Sequence, residues 1–133
     1  MSDKSLAGHA EDELVAAKNA LAEAEILLAN NKYTGSISRA YYAIFHAARA
    51  VLNVHGSAPE THRGVISEFG RMMVKTGLVD ENYSQMLREA REERQIVDYE
   101  VAELELLPSA EEASKIVNNA QLFIEEMVRQ IKI

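Results

Sequence analysis

The chain has 133 residues, a formal net charge of −7 and no cysteine. This is the size of one domain with a real core, without disulfides, thiolate metal sites or a cysteine nucleophile. The negative charge opposes non-specific attraction to nucleic acid, so any RNA binding needs a local basic patch or a basic partner.

No apolar run approaches the ~20 residues that span a bilayer, and Met1-Ser2-Asp3-Lys4-Ser5 is not a signal peptide. No membrane role is expected, and the expected compartment is cytoplasmic. Only two prolines and six glycines occur, and they punctuate the chain rather than interrupt it. Strand-type alternation of β-branched residues is absent, while Ala, Leu, Glu, Lys and Arg, all good helix formers, dominate. The expected fold is all-α, an up-and-down antiparallel bundle of four to five helices in a single domain over residues 1–133.

The first helix is predicted from about Ala10 to Asn30. Ala10, Leu14, Ala17, Leu21, Ala24 and Leu28 recur at spacings of four and three, a narrow seam suited to antiparallel packing. Asn30-Asn31-Lys32-Tyr33-Thr34-Gly35 closes it. Thr34 or Ser36 can cap the second helix, which runs to about His55 and stops at Gly56.

Wound at 100° per residue, the second helix places Ile37, Ala40, Tyr41, Ile44, Phe45, Ala47, Ala48, Val51 and Leu52 on one broad apolar arc. Ala43, Ala50 and Val54 extend it. A helix apolar over more than half its circumference is central, or shared with a second subunit; a homodimer is expected on this ground. Arg39, Tyr42, His46, Arg49 and Asn53 fall in one polar stripe. That stripe is either a binding surface or an ordinary core edge with satisfied polar atoms and a solvated basic face.

Ser57-Ala58-Pro59-Glu60 matches a capping box, with Thr61 a rival cap. The third helix uses Val65, Ile66, Phe69, Met72 and Met73 and ends at Gly77. His62, beside Arg63 at its start, is either a phosphate-contact corner or a cap and packing residue. Asp80 is the expected cap of the fourth helix. Pro108-Ser109-Ala110-Glu111-Glu112 supplies another capping box, and the fifth helix follows with its apolar face running from Ala113 to Ile131.

The fourth helix has apolar positions Tyr83, Leu87, Ala90, Val97, Val101 and Leu104. The same spacing requires a core residue at 94, where Arg94 stands. An arginine in such a seam is costly unless its guanidinium is paired or reaches solvent. Asp98, one turn on, is a candidate partner. Arg88, Arg91 and Arg94 form a ladder at spacings of three, interleaved with Glu89, Glu92 and Glu93, which neutralise it on the helix surface. His9 and His55 read as terminal and loop histidines. No His and carboxylate set has metal-ligand spacing, so neither a metal nor another cofactor is expected.

Together these segments resemble the HEPN superfamily (higher eukaryotes and prokaryotes nucleotide-binding), in its branch of small stand-alone prokaryotic proteins. The matching stretches are Ser38-Arg39-Ala40-Tyr41-Tyr42-Ala43-Ile44-Phe45-His46-Ala47-Ala48-Arg49, Thr61-His62-Arg63-Gly64-Val65 with Phe69-Gly70, and Arg94 with Asp98-Tyr99. The resemblance implies a dimeric helical bundle working with a minimal nucleotidyltransferase as a toxin–antitoxin pair, with nucleotide or RNA as ligand. Many members are metal-independent ribonucleases whose motif is an Arg followed, after four to six residues, by a His. Here Arg94-Gln95-Ile96-Val97-Asp98-Tyr99 has no histidine after the arginine.

Three functions follow: a dimeric nucleotide- or RNA-binding component, a ribonuclease toxin with a non-standard site, and a structural adaptor without ligand. The candidates for catalysis are Arg94, Asp98, Tyr99 and His46. For ligand binding they are Arg39, Tyr42, His46, Arg49, Arg63 and Arg94. In related pairs the partner adds AMP to a tyrosine just after the ribonuclease motif, and Tyr99 is the nearest here.

Overall fold

The computed structural model describes residues 6–99 and 107–132, the side chains of residues 6, 7, 98 and 99 excepted. Within them the chain folds as α1 (Leu6–Ala29), α2 (Tyr33–Val54), α3 (His62–Phe69), a five-residue π-helical turn (Gly70–Val74), α4 (Glu81–Tyr99) and α5 (Ala110–Ile131). No strand occurs among the described residues. The all-α bundle expected from composition and periodicity is the observed fold. The candidates Asp98 and Tyr99 have their side chains outside the described residues, as do Val101 and Leu104 entirely.

Local chemistry sets most of the helix ends. Asn31 takes a left-handed conformation, φ 61°, which asparagine tolerates and which turns the chain from α1 into α2. Asp80 begins α4 as expected, its Oδ2 accepting from Asn82 N at 2.9 Å. Ser109 and Glu112 form the complete reciprocal box at the start of α5.

Three local expectations are corrected. Neither Thr34 nor Ser36 caps α2: that helix begins at Tyr33, and the Ser36 hydroxyl donates to Tyr33 O at 2.8 Å within the first turn. Ser57 does not cap α3, because its hydroxyl donates to Glu68 Oε1 at 3.1 Å. Thr61 takes that role, its Oγ1 accepting from Gly64 N at 2.9 Å. The third helix also does not run straight to Gly77: from Gly70 its ladder widens, with Lys75 N donating to Gly70 O at 3.0 Å.

α2 is the axis of the molecule and packs against α1, α5, α4 and α3. Ala17, Ala20 and Ala24 of α1, like Ala40, Ala43 and Ala47 of α2, are buried, and such small side chains let the two helices approach closely. Every residue of α2's apolar arc is buried except Val54, which is 40% exposed. The breadth of that arc therefore does not call for a second subunit. α1, α3, α4 and α5 of the same chain cover it, and the homodimer expectation loses this support.

Candidate functional site

Arg94 lies over aromatic rings of α2, its guanidinium carbon 4.7 Å from the Tyr42 ring centroid and 5.5 Å from that of Tyr41. This explains an arginine in an apolar seam. Its planar cation meets the negative faces of two tyrosines, and its methylene stem fills the seam. Tyr42 also carries Arg39, 5.4 Å from its centroid.

Beside this stack, the Tyr41 hydroxyl and His62 Nδ1 form a short hydrogen bond between α2 and α3. The His62 ring packs on Phe45, centroids 4.7 Å apart. Burial pushes the Tyr41 phenol up to about 12, with Arg91 and Arg94 pulling it back in part. For His62, burial and then the same two arginines lower its pKa from the usual imidazole value, because each disfavours a charged ring. At neutral pH the pair is thus an un-ionised phenol against an un-ionised imidazole.

α3 and α4 enclose a groove of about 410 Å³ lined by Arg63, Ile66, Arg88, Arg91, Glu92 and Gln95. A second hollow of about 530 Å³ continues it past Ile66 and Arg88 towards Arg71 and Lys75. Arg88 is steered by Ser84, whose buried hydroxyl accepts from Nη1 at 2.9 Å. Among the described residues, Arg88 and Arg91 make no ion pair with carboxylates of their own helix: Glu89 binds Lys115 of α5 at 2.7 Å, and Glu92 lines the groove beside the two arginines. Among the described residues, Arg63 and Arg91 pair with no carboxylate. Elsewhere, a hollow of about 340 Å³ lies at the α1–α2 turn, where Lys32 is the charged lining residue among the described residues.

The polar stripe of α2 is divided between two neighbours. His46 Nδ1 meets Glu13 Oε1 at 2.7 Å and Arg49 Nε meets Glu13 Oε2 at 3.3 Å. Arg39 Nε meets Glu23 Oε1 at 2.8 Å. These three side chains are held by carboxylates of α1, and only Tyr42 of the stripe joins the α4 arginine. The Tyr42 ring stacks against His46, centroids 6.2 Å apart, and takes Arg94 on itself. Asn53 is buried.

The structure thus brings Tyr42 and Arg94 together, sets Arg63 beside Arg91 in the α3–α4 groove and draws Arg39, His46 and Arg49 towards α1. Sequence reasoning placed Tyr41 in the apolar arc and left Arg88 and Arg91 as a neutralised ladder. One signal for Tyr41 was available, since a tyrosine inside an apolar arc needs a partner for its hydroxyl. Among the described residues, no three His, Asp or Glu side chains gather as metal ligands, and no helix is long and apolar enough to cross a membrane.

Comparison with known proteins places this geometry in context. The profile of the HEPN domain family matches residues 10–131. A Methanocaldococcus jannaschii protein named as a candidate toxin is 34% identical over 116 residues, covering 87% of this chain and 84% of that protein. A UPF0332 protein of Thermotoga maritima is 31% identical over 120 residues, covering 87% and 88% respectively. A UPF0332 protein of Pyrococcus horikoshii is 42% identical over 76 residues, covering 57% and 54%.

Proposed function

We propose that this chain, which belongs to the HEPN domain family, is a toxin-type component that binds a nucleotide or RNA through its phosphates. The binding face is the one shared by α2, α3 and α4. The observation that carries this reading is the gathering of Arg63, Arg88 and Arg91 on one groove, with Arg91 and Arg94 also acting on the neighbouring Tyr41–His62 pair, in a chain whose overall charge is −7. A basic patch of this kind is what an acidic protein needs to hold a polyanion.

Guanidinium forks match two phosphate oxygens at once. Arg63 and Arg91, free of carboxylate partners among the described residues, supply such forks at the groove. Arg94 is oriented by Tyr42 and Tyr41, so less of its freedom is lost when an anion arrives. The candidate-toxin name of the Methanocaldococcus relative supports the toxin side of the reading. A second copy and a minimal nucleotidyltransferase are the partners the family implies. Light scattering at micromolar concentration tests the dimer, a concentration-independent monomer counting against it.

The site is tested by the fluorescence anisotropy of a labelled single-stranded RNA titrated at several salt concentrations. Arg63→Ala combined with Arg91→Ala should weaken binding by tenfold or more. The same double variant should flatten the dependence of log K on log salt by about 0.7 for each phosphate it no longer neutralises. Binding and salt slope unchanged in the double variant would refute the site. Metal-independent cleavage of the RNA, abolished by Arg94→Ala, would turn the reading from binding to catalysis.

A further inference from the structure

Tyr41 is 0% exposed, and a buried phenol must place its proton on an acceptor. Among the described residues its hydroxyl has one partner, Nδ1 of His62. If Nδ1 carried the imidazole proton and donated, the phenolic proton would be left buried with no acceptor. The phenol therefore donates, Nδ1 accepts, and a neutral ring keeps its own proton on Nε2.

The surroundings favour the neutral ring. Phe45 packs on it, Arg91 and Arg94 of α4 act on it as cations, and the Tyr41 phenol bonded to it, whose pKa burial raises, stays un-ionised at neutral pH. Nε2 has no hydrogen-bond partner among the described residues, and His62 is only half-buried. Its chain neighbour Arg63 lines the groove, as does Arg91.

We propose that Tyr41 locks His62 in the Nε2–H tautomer, so that His62 binds the ligand by donating from Nε2 to a phosphoryl oxygen held by Arg91, and does not act as a proton acceptor. This rests on the reading of the arginine-lined face as a phosphate site, and it adds a ligand-binding residue and its protonation state. Acting as a base would require a bare Nε2, hence a proton on Nδ1 and a stranded phenolic proton on Tyr41. The histidine missing from α4 is therefore not replaced in function by this one.

Long-range nitrogen–proton correlation NMR on the labelled full chain reads the tautomer directly. The expected signature at neutral pH is an unprotonated Nδ1 and a protonated Nε2 for His62. With a fluorescein-labelled oligouridylate as probe, His62→Ala should weaken binding about tenfold, the loss of one hydrogen bond to a charged group. His62→Gln, whose amide donor reaches the Nε2 position, should recover most of that loss, a rescue that a merely structural role would not give.

A dominant Nδ1–H tautomer overturns the proposal, even where His62→Ala fails to fold. Unchanged binding in His62→Ala, with binding still lost in Arg63→Ala/Arg91→Ala, overturns it while leaving the phosphate site standing. Unchanged binding in both variants removes the phosphate site and the proposal with it.

Discussion

Arg94 gives the sharpest stability test, because its position in the seam and its position over two rings predict opposite results. As an unsupported charge in an apolar stripe, its removal would leave stability unchanged or higher. The geometry says otherwise. Its guanidinium carbon stands 4.7 and 5.5 Å from two tyrosine centroids, and the residue is half-buried. A cation–π contact contributes about 0.5–1 kcal/mol when exposed and ~2 kcal/mol when desolvated. At this intermediate burial, Arg94→Met, which keeps an apolar stem, should cost about 1–2 kcal/mol, or roughly 3–8 °C in melting temperature for a chain of this size. Arg94→Lys keeps the charge, loses the planar stack and should fall between. Urea unfolding of Arg94→Met, Tyr42→Leu and the double variant isolates the interaction, with an expected coupling of about 0.5–1.5 kcal/mol. A coupling below about 0.3 kcal/mol, the ordinary limit of additivity, or an Arg94→Met variant as stable as the parent, would refute the stacking account.

Glu93 makes a prediction in pH. Burial raises its pKa above the usual carboxylate value, and the carboxylates of Glu112, Glu89 and Glu92 raise it further, with Lys115 opposing. A raised folded-state pKa means that this group favours the fold below the ordinary carboxylate range, and that this contribution is lost as pH rises through the raised value. Glu93→Gln should therefore raise the melting temperature at neutral pH and lose that advantage near about pH 4; an equal gain at both pH values would contradict the assignment. At the helix starts, Thr61→Ala and Ser109→Ala should each cost about 1 kcal/mol in urea unfolding. Ser57→Ala, which touches Glu68 and no helix N-terminus, should cost less than Thr61→Ala, and the reverse order would contradict the observed cap of α3.

Much of this protein is already determined within short stretches of its chain. The alanine and leucine seam of α1, the reciprocal Ser109–Glu112 box and the Asp80 start of α4 depend on residues three or four apart, which the helix itself brings together. Even the family likeness lies in such local strings. Where two local solutions compete, the chain alone does not choose: both Ser57 and Thr61 could cap α3, and a partner in the body of that helix, Glu68, takes Ser57 away.

The site belongs to the other class. Tyr41 meets His62 across 21 residues, His46 meets Glu13 across 33, and Arg94 meets tyrosines of a helix some fifty positions earlier. Which polar atom finds which depends on how far each helix is rotated about its own axis when its apolar side chains interlock with those of its neighbours. That rotation follows from the packing of α2 among four other helices at once, and the tertiary structure alone decides it.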